Sequence, residues 1–336
     1  MSPESRFCRQ CNHTFRVDAE DLAFYEKIAP NFAGKTFPIP TPSLCSACRE
    51  QSRLVWRNEH KLYNRKCDLT GKDIISVHAS DKSYPVYSSA AWWSDAWDPI
   101  TYGKDFDFSR PFFDQYCELI NQVPRAALYN VDGENSEYNQ STGNLKNCYL
   151  LAGANYDEDC YYGKYIHYSR NCVDTHMLDH CELCYESIDC KSCYNCSFIR
   201  DCTNCRDSQF LYACHNCNDC FGCINLSNKQ YCFFNEQLSP EDYKNKIATA
   251  DLSKHSTVIE IKKKMEEKLL DHPVRYMNGT SNENCTGDCL SQSKNSHYCF
   301  DASQLENCKY CVYFHQAKDC MDVFAWGMPA ELSYYS

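Results

Sequence analysis

Cys8-Arg9-Gln10-Cys11 and Cys45-Ser46-Ala47-Cys48 form two Cys-x-x-Cys knuckles with 33 residues between them. Four thiolates in a tetrahedral array are the donor set of a structural zinc site. The spacing therefore predicts that Cys8, Cys11, Cys45 and Cys48 bind one Zn(2+). Asn12 follows the first knuckle, where the turn needs a left-handed residue, a conformation that Asn tolerates. Two unrelated thiol pairs or reducible disulfides are the competing readings. The chain opens Met-Ser-Pro-Glu-Ser-Arg, without the apolar run of a secretory signal. A cytoplasmic location is the expectation, and thiols stay reduced there.

Twenty-seven cysteines are present in 336 residues, and fifteen of them lie between Cys148 and Cys232. All fifteen fall on one three-residue grid. The remaining grid positions are small or apolar, apart from the charged Asp157 and Lys229. A longer spacing of 21 lies on top: Cys160, Cys181, Cys202 and Cys223 follow it, as do Cys172, Cys193 and Cys214. A fixed period in this range signals stacked repeats, and a phase of three fits short extended segments broken by bends rather than a helix or a flat strand. The expected fold class is mainly β: an N-terminal zinc ribbon plus a β-solenoid of 21-residue repeats with a helical insert. Cys181, Cys184, Cys202 and Cys205 form a second two-knuckle pattern, and Cys193, Cys196, Cys214 and Cys217 a third. Each set could clamp two coils through zinc. Packed neutral thiols, inter-coil disulfides and an iron–sulfur cluster are the other readings, and the sequence leaves all four open.

Arg49, Arg53, Arg57, Lys61 and Arg65 recur every fourth residue after Cys48. On one helix they would make a basic stripe. Residues 1–75 carry +3, against −14 for the remainder of a chain of net −11. That polarity suits an end that contacts phosphate and a body repelled by it, so RNA enters as a candidate partner. The other reading is a solvated face paired with Glu50 and Glu59.

The elements that must position these residues are partly legible. Ser239-Pro240-Glu241-Asp242 reads as an N-cap, a proline at the first helical position and two first-turn acids. A second helix is expected from Ser256 to before Pro273, with the lysines at 262–264 on its solvated face. Ser109-Arg110-Pro111 opens a helix through Phe112, Tyr116, Leu119 and Ile120 that could cap the first coil. Cys299, Cys308, Cys311 and Cys320 resume the three-residue grid, with Cys285 and Cys289 off it, which predicts an irregular turn. The expected divisions are 1–66 (ribbon and basic helix), 67–138 (α/β connector), 139–238 (solenoid), 239–277 (helical insert) and 278–336 (second solenoid segment). The last segment ends in solenoid-like sequence, so the array is expected to continue or to meet a partner at its open end.

The stretch from Phe7-Cys8-Arg9-Gln10-Cys11 to Leu44-Cys45-Ser46-Ala47-Cys48-Arg49 resembles a family of bacterial zinc ribbons. Lys66-Cys67-Asp68-Leu69-Thr70-Gly71-Lys72, Trp92-Trp93-Ser94-Asp95, Asp107-Phe108-Ser109-Arg110-Pro111-Phe112-Phe113 and Cys220-Phe221-Gly222-Cys223 extend the likeness to bacterial proteins in which this ribbon precedes cysteine-rich repeats. The resemblance implies architecture rather than an activity. Some of those proteins carry a CaiB/BaiF-type CoA-transferase name, but no feature of this sequence supports that chemistry. It also implies a second ribbon whose ligand positions match Cys67, Thr70, Ser88 and Ala91, of which only Cys67 is a cysteine here.

No stretch approaches the roughly 18 apolar residues of a membrane span, and neither a catalytic triad nor a phosphate-binding glycine loop is visible. The expected function is a zinc-binding scaffold that binds protein or RNA, without enzymatic activity. A thiol redox or metal-buffering protein is the alternative, and a polysaccharide-active β-helix enzyme is a third.

Overall fold

The computed structural model describes residues 4–55, 58, 61–296, 299–304, 317–318, 320–321 and 330–331. Strands dominate, most of them in parallel sheets. The chain divides into two compact units, residues 1–57 with 274–336, and residues 58–273.

In the first unit, Glu4–Phe7 pairs antiparallel with Thr14–Val17. Helix α1 (Ala19–Ile28) follows, started by a reciprocal capping box between Asp18 and Asp21. Helix α2 (Ser46–Leu54) begins at the second knuckle, with Cys45 as its N-cap. Val17, Leu22 and Tyr25 bury against Met321. Gly279–Thr280, Gly287–Ser291 and Cys299–Ser303 form a parallel ladder whose offset is eleven residues at Gly279↔Leu290 and twelve at Gly287↔Cys299. The irregular turn expected around Cys285 and Cys289 is thus a coil one residue short. Gly287 has φ 137°, and a Cβ there would lie 1.7 Å from the Cys299 carbonyl oxygen. The grid positions Cys308 and Cys311 lie outside the described residues.

In the second unit the three-residue phase is confirmed, and its physical basis is a backbone one. Every third residue from 144 to 234 has φ between 44° and 67°, and only Gly153 and Gly222 among them are glycine. Each triplet therefore consists of an extended residue, a left-handed residue and an inward residue. The left-handed conformation costs an ordinary L-residue roughly 1–2 kcal/mol, least for Asn and Asp. That explains the many Asn and Asp residues one place before the inward ones, such as Asn204, Asp207, Asn216, Asp219 and Asn228. Their amides stack from coil to coil, Asn204 to Asn216 and Asn216 to Asn228, at 3.1 Å each. The two glycines answer a different need: a Cβ at Gly153 would meet the Tyr165 ring, and one at Gly222 the Phe234 ring, both at 2.7 Å.

The coil length differs from expectation. Residues pair in parallel at an offset of twelve, not twenty-one: Cys184 opposes Cys196, Leu178 opposes Cys190 and Cys220 opposes Cys232. The hydrogen bonds follow suit, Lys146 N–H donating to the Asp157 carbonyl at 3.0 Å and Asp159 N–H to the Lys146 carbonyl at 2.9 Å. Four triplets close one turn, so Cys160, Cys181, Cys202 and Cys223 fall on four different sides rather than in one column. The reason is packing. Seven inward residues per turn would enclose a cross-section that thiols cannot fill to interior density. Four small ones fill it.

Helices α3 (Ser89–Trp92) and α4 (Phe112–Ile120) precede the coils. Helix α4 forms next to the predicted proline, but none of its residues is buried, so it does not cap the first coil. Helices α5 (Pro240–Ala248) and α6 (His255–Leu269) pack on the coils through a core of Phe210, Phe221, Tyr243 and Val258. The Ser239 hydroxyl caps α5 by accepting from Asp242 N–H. The lysines at 262–264 are more than a solvated face: Lys262 pairs with Glu186, and the Lys264 ammonium sits 3.9 Å from the centre of the Phe234 ring.

Candidate metal centre

The first knuckle is a tight turn. Cys8 N–H donates to the His13 carbonyl and Asn12 N–H to the Cys8 carbonyl, both at 2.9 Å, with Asn12 at φ 60° as its composition suggested. The second knuckle enters α2. There Cys45 N–H donates to Cys8 Sγ at 3.3 Å, and the first helical turn carries Cys48 beside it. The ligand atoms of Cys8, Cys11, Cys45 and Cys48 all lie within 4.8 Å of one another. Cys8 and Cys48 are buried and Cys11 is exposed.

The donor set fits a metal ion. Cys11 Sγ and Cys45 Sγ are 3.7 Å apart, and a sulfur tetrahedron around zinc at about 2.3 Å has edges of about 3.8 Å. Burial alone would raise the Cys8 thiol, but the backbone N–H groups of Cys11, Cys45 and Gln10 converge on it and bring it down to about 6. Cys48 is pushed up to about 12 by burial and by the neighbouring sulfurs. Four thiols this close cannot all ionise unaided. A dication would remove that conflict, because metal ligands must be deprotonated.

A second hairpin–helix unit repeats this frame without its ligands. Tyr63–Lys66 pairs with Asp73–Ser76, and Cys67 occupies the turn as Cys8 does. Gly71, at φ 70°, stands where Asn12 stands and donates to the Cys67 carbonyl at 2.8 Å. Ser88 N–H donates to Cys67 Sγ at 3.2 Å, and Ser88 stands at the N-cap of α3 as Cys45 stands at that of α2. Ala91 is buried where Cys48 would be. Burial raises the Cys67 thiol, but the Thr70 hydroxyl and the N–H groups of Ser88, Thr70 and Leu69 outweigh it and bring it down to about 7.

The interior cysteines are brought together, but not in the expected sets. One coil turns Cys181, Cys184, Ser187 and Cys190 inward, and the next Cys193, Cys196, Ile199 and Cys202, all at 1% exposure or less. Cys181 and Cys205 are two coils apart, as are Cys193 and Cys217, so neither proposed zinc quartet can converge. Among the described residues, only the N-terminal quartet gathers three or more metal-ligating side chains within 4.8 Å. The interior cysteines are free thiols, most of them placed between two carbonyls. Cys160 Sγ, for example, lies 3.3 Å from the Glu158 oxygen and 3.5 Å from that of Ser169. Burial pushes the Cys202 thiol well above its ordinary range, while S–H donors from Cys193 and Cys202 hold Cys190 well below it.

The two charged grid residues part company. Lys229 is exposed in the last coil, whereas Asp157 is 1% exposed. Its Oδ1 accepts Ser169 N–H at 2.9 Å, and its Oδ2 has no hydrogen-bond partner. Burial pushes its carboxyl up to about 8.

The basic stripe does not form. Helix α2 ends at Leu54. Arg49 and Arg53 are 5% and 6% exposed. Arg65 lies in the strand Tyr63–Lys66, where its guanidinium bonds Asp68 and the Ala79 carbonyl. Lys61 stands in a loop, and Arg57 lies outside the described residues. A four-residue spacing fits a helical face, but the chain leaves the helix at Leu54, after the second turn.

The fold and the site define a mainly β protein with a four-cysteine cluster able to hold a metal ion. No helix of the described residues is long and apolar enough to cross a membrane. No family model matches the chain, and no curated protein matches it.

Proposed function

We propose that this protein is a zinc-binding scaffold whose role is to engage another protein, with Cys8, Cys11, Cys45 and Cys48 as a zinc ribbon and residues 139–238 as a four-sided β-solenoid. The observation that carries the reading is the convergence of those four sulfurs within 4.8 Å on two backbone turns that donate N–H groups to them. The solenoid reading is supported by the unbroken twelve-residue pairing on all four sides, with bridges such as Glu158↔Arg170, Tyr161↔Val173, Ala152↔Lys164 and Asn155↔His167. Such ladders offer long, rigid outer faces, which is how repeat proteins bind partners. RNA loses its support with the basic stripe. A thiol redox role is disfavoured because reactive cysteines need exposure and positive surroundings, and the ladder thiols are sealed inside. A reducing, cytoplasmic setting suits so many unpaired thiols.

Zinc and iron per chain, measured on reductant-purified protein by elemental analysis, test the reading. About one zinc is expected. Three or more would place metal inside the coils, and none would overturn the ribbon.

A further inference from the structure

The segment leading into α4 carries an aromatic surface that the described residues leave exposed. Phe106, Phe108, Phe112, Phe113 and Tyr116 touch ring to ring, with centroid separations of 4.9 Å for Phe106–Phe108, 6.2 Å for Phe106–Phe112, 5.3 Å for Phe112–Phe113 and 5.8 Å for Phe112–Tyr116. Phe108 is 93% exposed and Phe113 74%. With side chains of about 150–250 Å² each, the five rings present about 600 Å² to solvent. The largest apolar patch on a typical monomer is about 300–600 Å².

The helix beneath this surface sharpens the point. Helix α4 has 9 residues, none of them buried. A helix shorter than roughly 12–15 residues is marginal in water and relies on tertiary packing. Among the described residues, almost nothing packs on it. The segment is nonetheless well organised. Gln115 Nε2 donates to the Asp107 and Arg110 carbonyls at 2.9 and 3.1 Å, and Gln115 Oε1 accepts Asp107 N–H at 2.9 Å. Arg110 pairs with Glu118. A surface held in place in advance loses little freedom on binding.

We propose that this surface is the interface of a two-fold dimer, in which α4 packs against α4 of a second copy of this chain. The area argues for it: the rings alone supply most of the roughly 800 Å² that each partner contributes to a standard interface. Homodimer interfaces are also the more apolar class. The rim carries both signs, Lys104 and Arg110 with Asp105, Asp114 and Glu118. An isologous contact can set Lys104 of each copy against Asp105 and Asp114 of the other. The surplus of acids on the rim disfavours an anionic lipid surface.

Light scattering of the full, metal-loaded protein across about 1–100 µM tests the proposal, a range that interfaces of this size reach. A dimer is expected for the wild type, and a monomer with unchanged circular dichroism for the pair Phe108→Glu, Phe113→Glu. Cys117, exposed on α4, gives a second readout that needs no substitution. Its alkylation by iodoacetamide, followed by peptide mass spectrometry, should slow severalfold, up to about tenfold, from the dilute to the concentrated protein. A wild type that stays monomeric, a double variant that stays dimeric, or Cys117 alkylation independent of concentration would each overturn the dimer. Binding of anionic vesicles by the patch without self-association would do so too.

Discussion

The backbone N–H of Ser88 donates to Cys67 Sγ at 3.2 Å, reproducing at a site with one cysteine the bond that Cys45 makes to Cys8 at 3.3 Å. The hairpin and helix around Cys67 therefore repeat the frame of the four-cysteine cluster, with Thr70, Ser88 and Ala91 at the positions of Cys11, Cys45 and Cys48. Hydrogen bonds from Thr70 and from Ser88 N–H hold the Cys67 sulfur in that turn.

That correspondence predicts a gain of function. The triple substitution Thr70→Cys, Ser88→Cys, Ala91→Cys should raise bound zinc by about one ion per chain, since the four positions would supply a complete thiolate set. Elemental analysis reads it directly. An unchanged metal content in a folded triple variant would show that the two frames are not equivalent.

At the N-terminal site, Cys48→Ser should abolish stoichiometric zinc and strongly lower the melting temperature of the unit that contains it. Structural zinc contributes roughly 10–16 kcal/mol of apparent binding energy in small zinc modules. A strong chelator added to the wild type should reproduce the effect. Full zinc retention by Cys48→Ser would mean that another residue completes the donor set.

Asp157 sets a pH dependence. Its folded carboxyl titrates at about 8, while the unfolded one titrates at about 3.9. The folded state therefore holds the proton more tightly, and stability is fully present below pH 4 and lost as pH rises through 8. The loss is on the order of 4 kcal/mol at pH 7. Asp157→Asn should remove this slope and stabilise the protein at neutral and alkaline pH. Urea midpoints at pH 5, 7 and 9 decide the matter, and parallel curves for the two proteins would refute the assignment.

The four-sided interior sets a size limit. Cys202 is fully buried within a coil whose neighbours are thiols and Ile199, so Cys202→Leu should destabilise by about 1–3 kcal/mol through overpacking. Cys202→Ala should cost less. Thermal unfolding of both variants tests the order, and a more stable leucine variant would mean that the interior has room to spare.

The N-terminal quartet and the three-residue phase were legible in the sequence because each is a local property. Two knuckles carry their turn residues beside them, as Asn12 shows, and an inward side chain every third residue follows from one repeated backbone triplet. The coil length was not legible. Twelve and twenty-one are both multiples of three, and the choice depends on how far each left-handed residue turns the chain and on how many side chains fill the space inside. Cysteine columns at 21 therefore run round the four sides rather than up one of them.

The basic stripe failed for a related reason. Arg49, Arg53 and Arg65 share a spacing but not an element, and tertiary packing buried the first two while a hairpin took the third. Likewise Phe112 and Tyr116 gave a sound helix signal, but a sequence pattern cannot say what covers a helix. The sequence by itself determined which residues face inward and that the two N-terminal knuckles can share an ion, because those follow from local chain geometry. Only the tertiary structure decided the number of sides, the burial of the arginines and the bareness of α4, because closure and coverage depend on residues far apart along the chain.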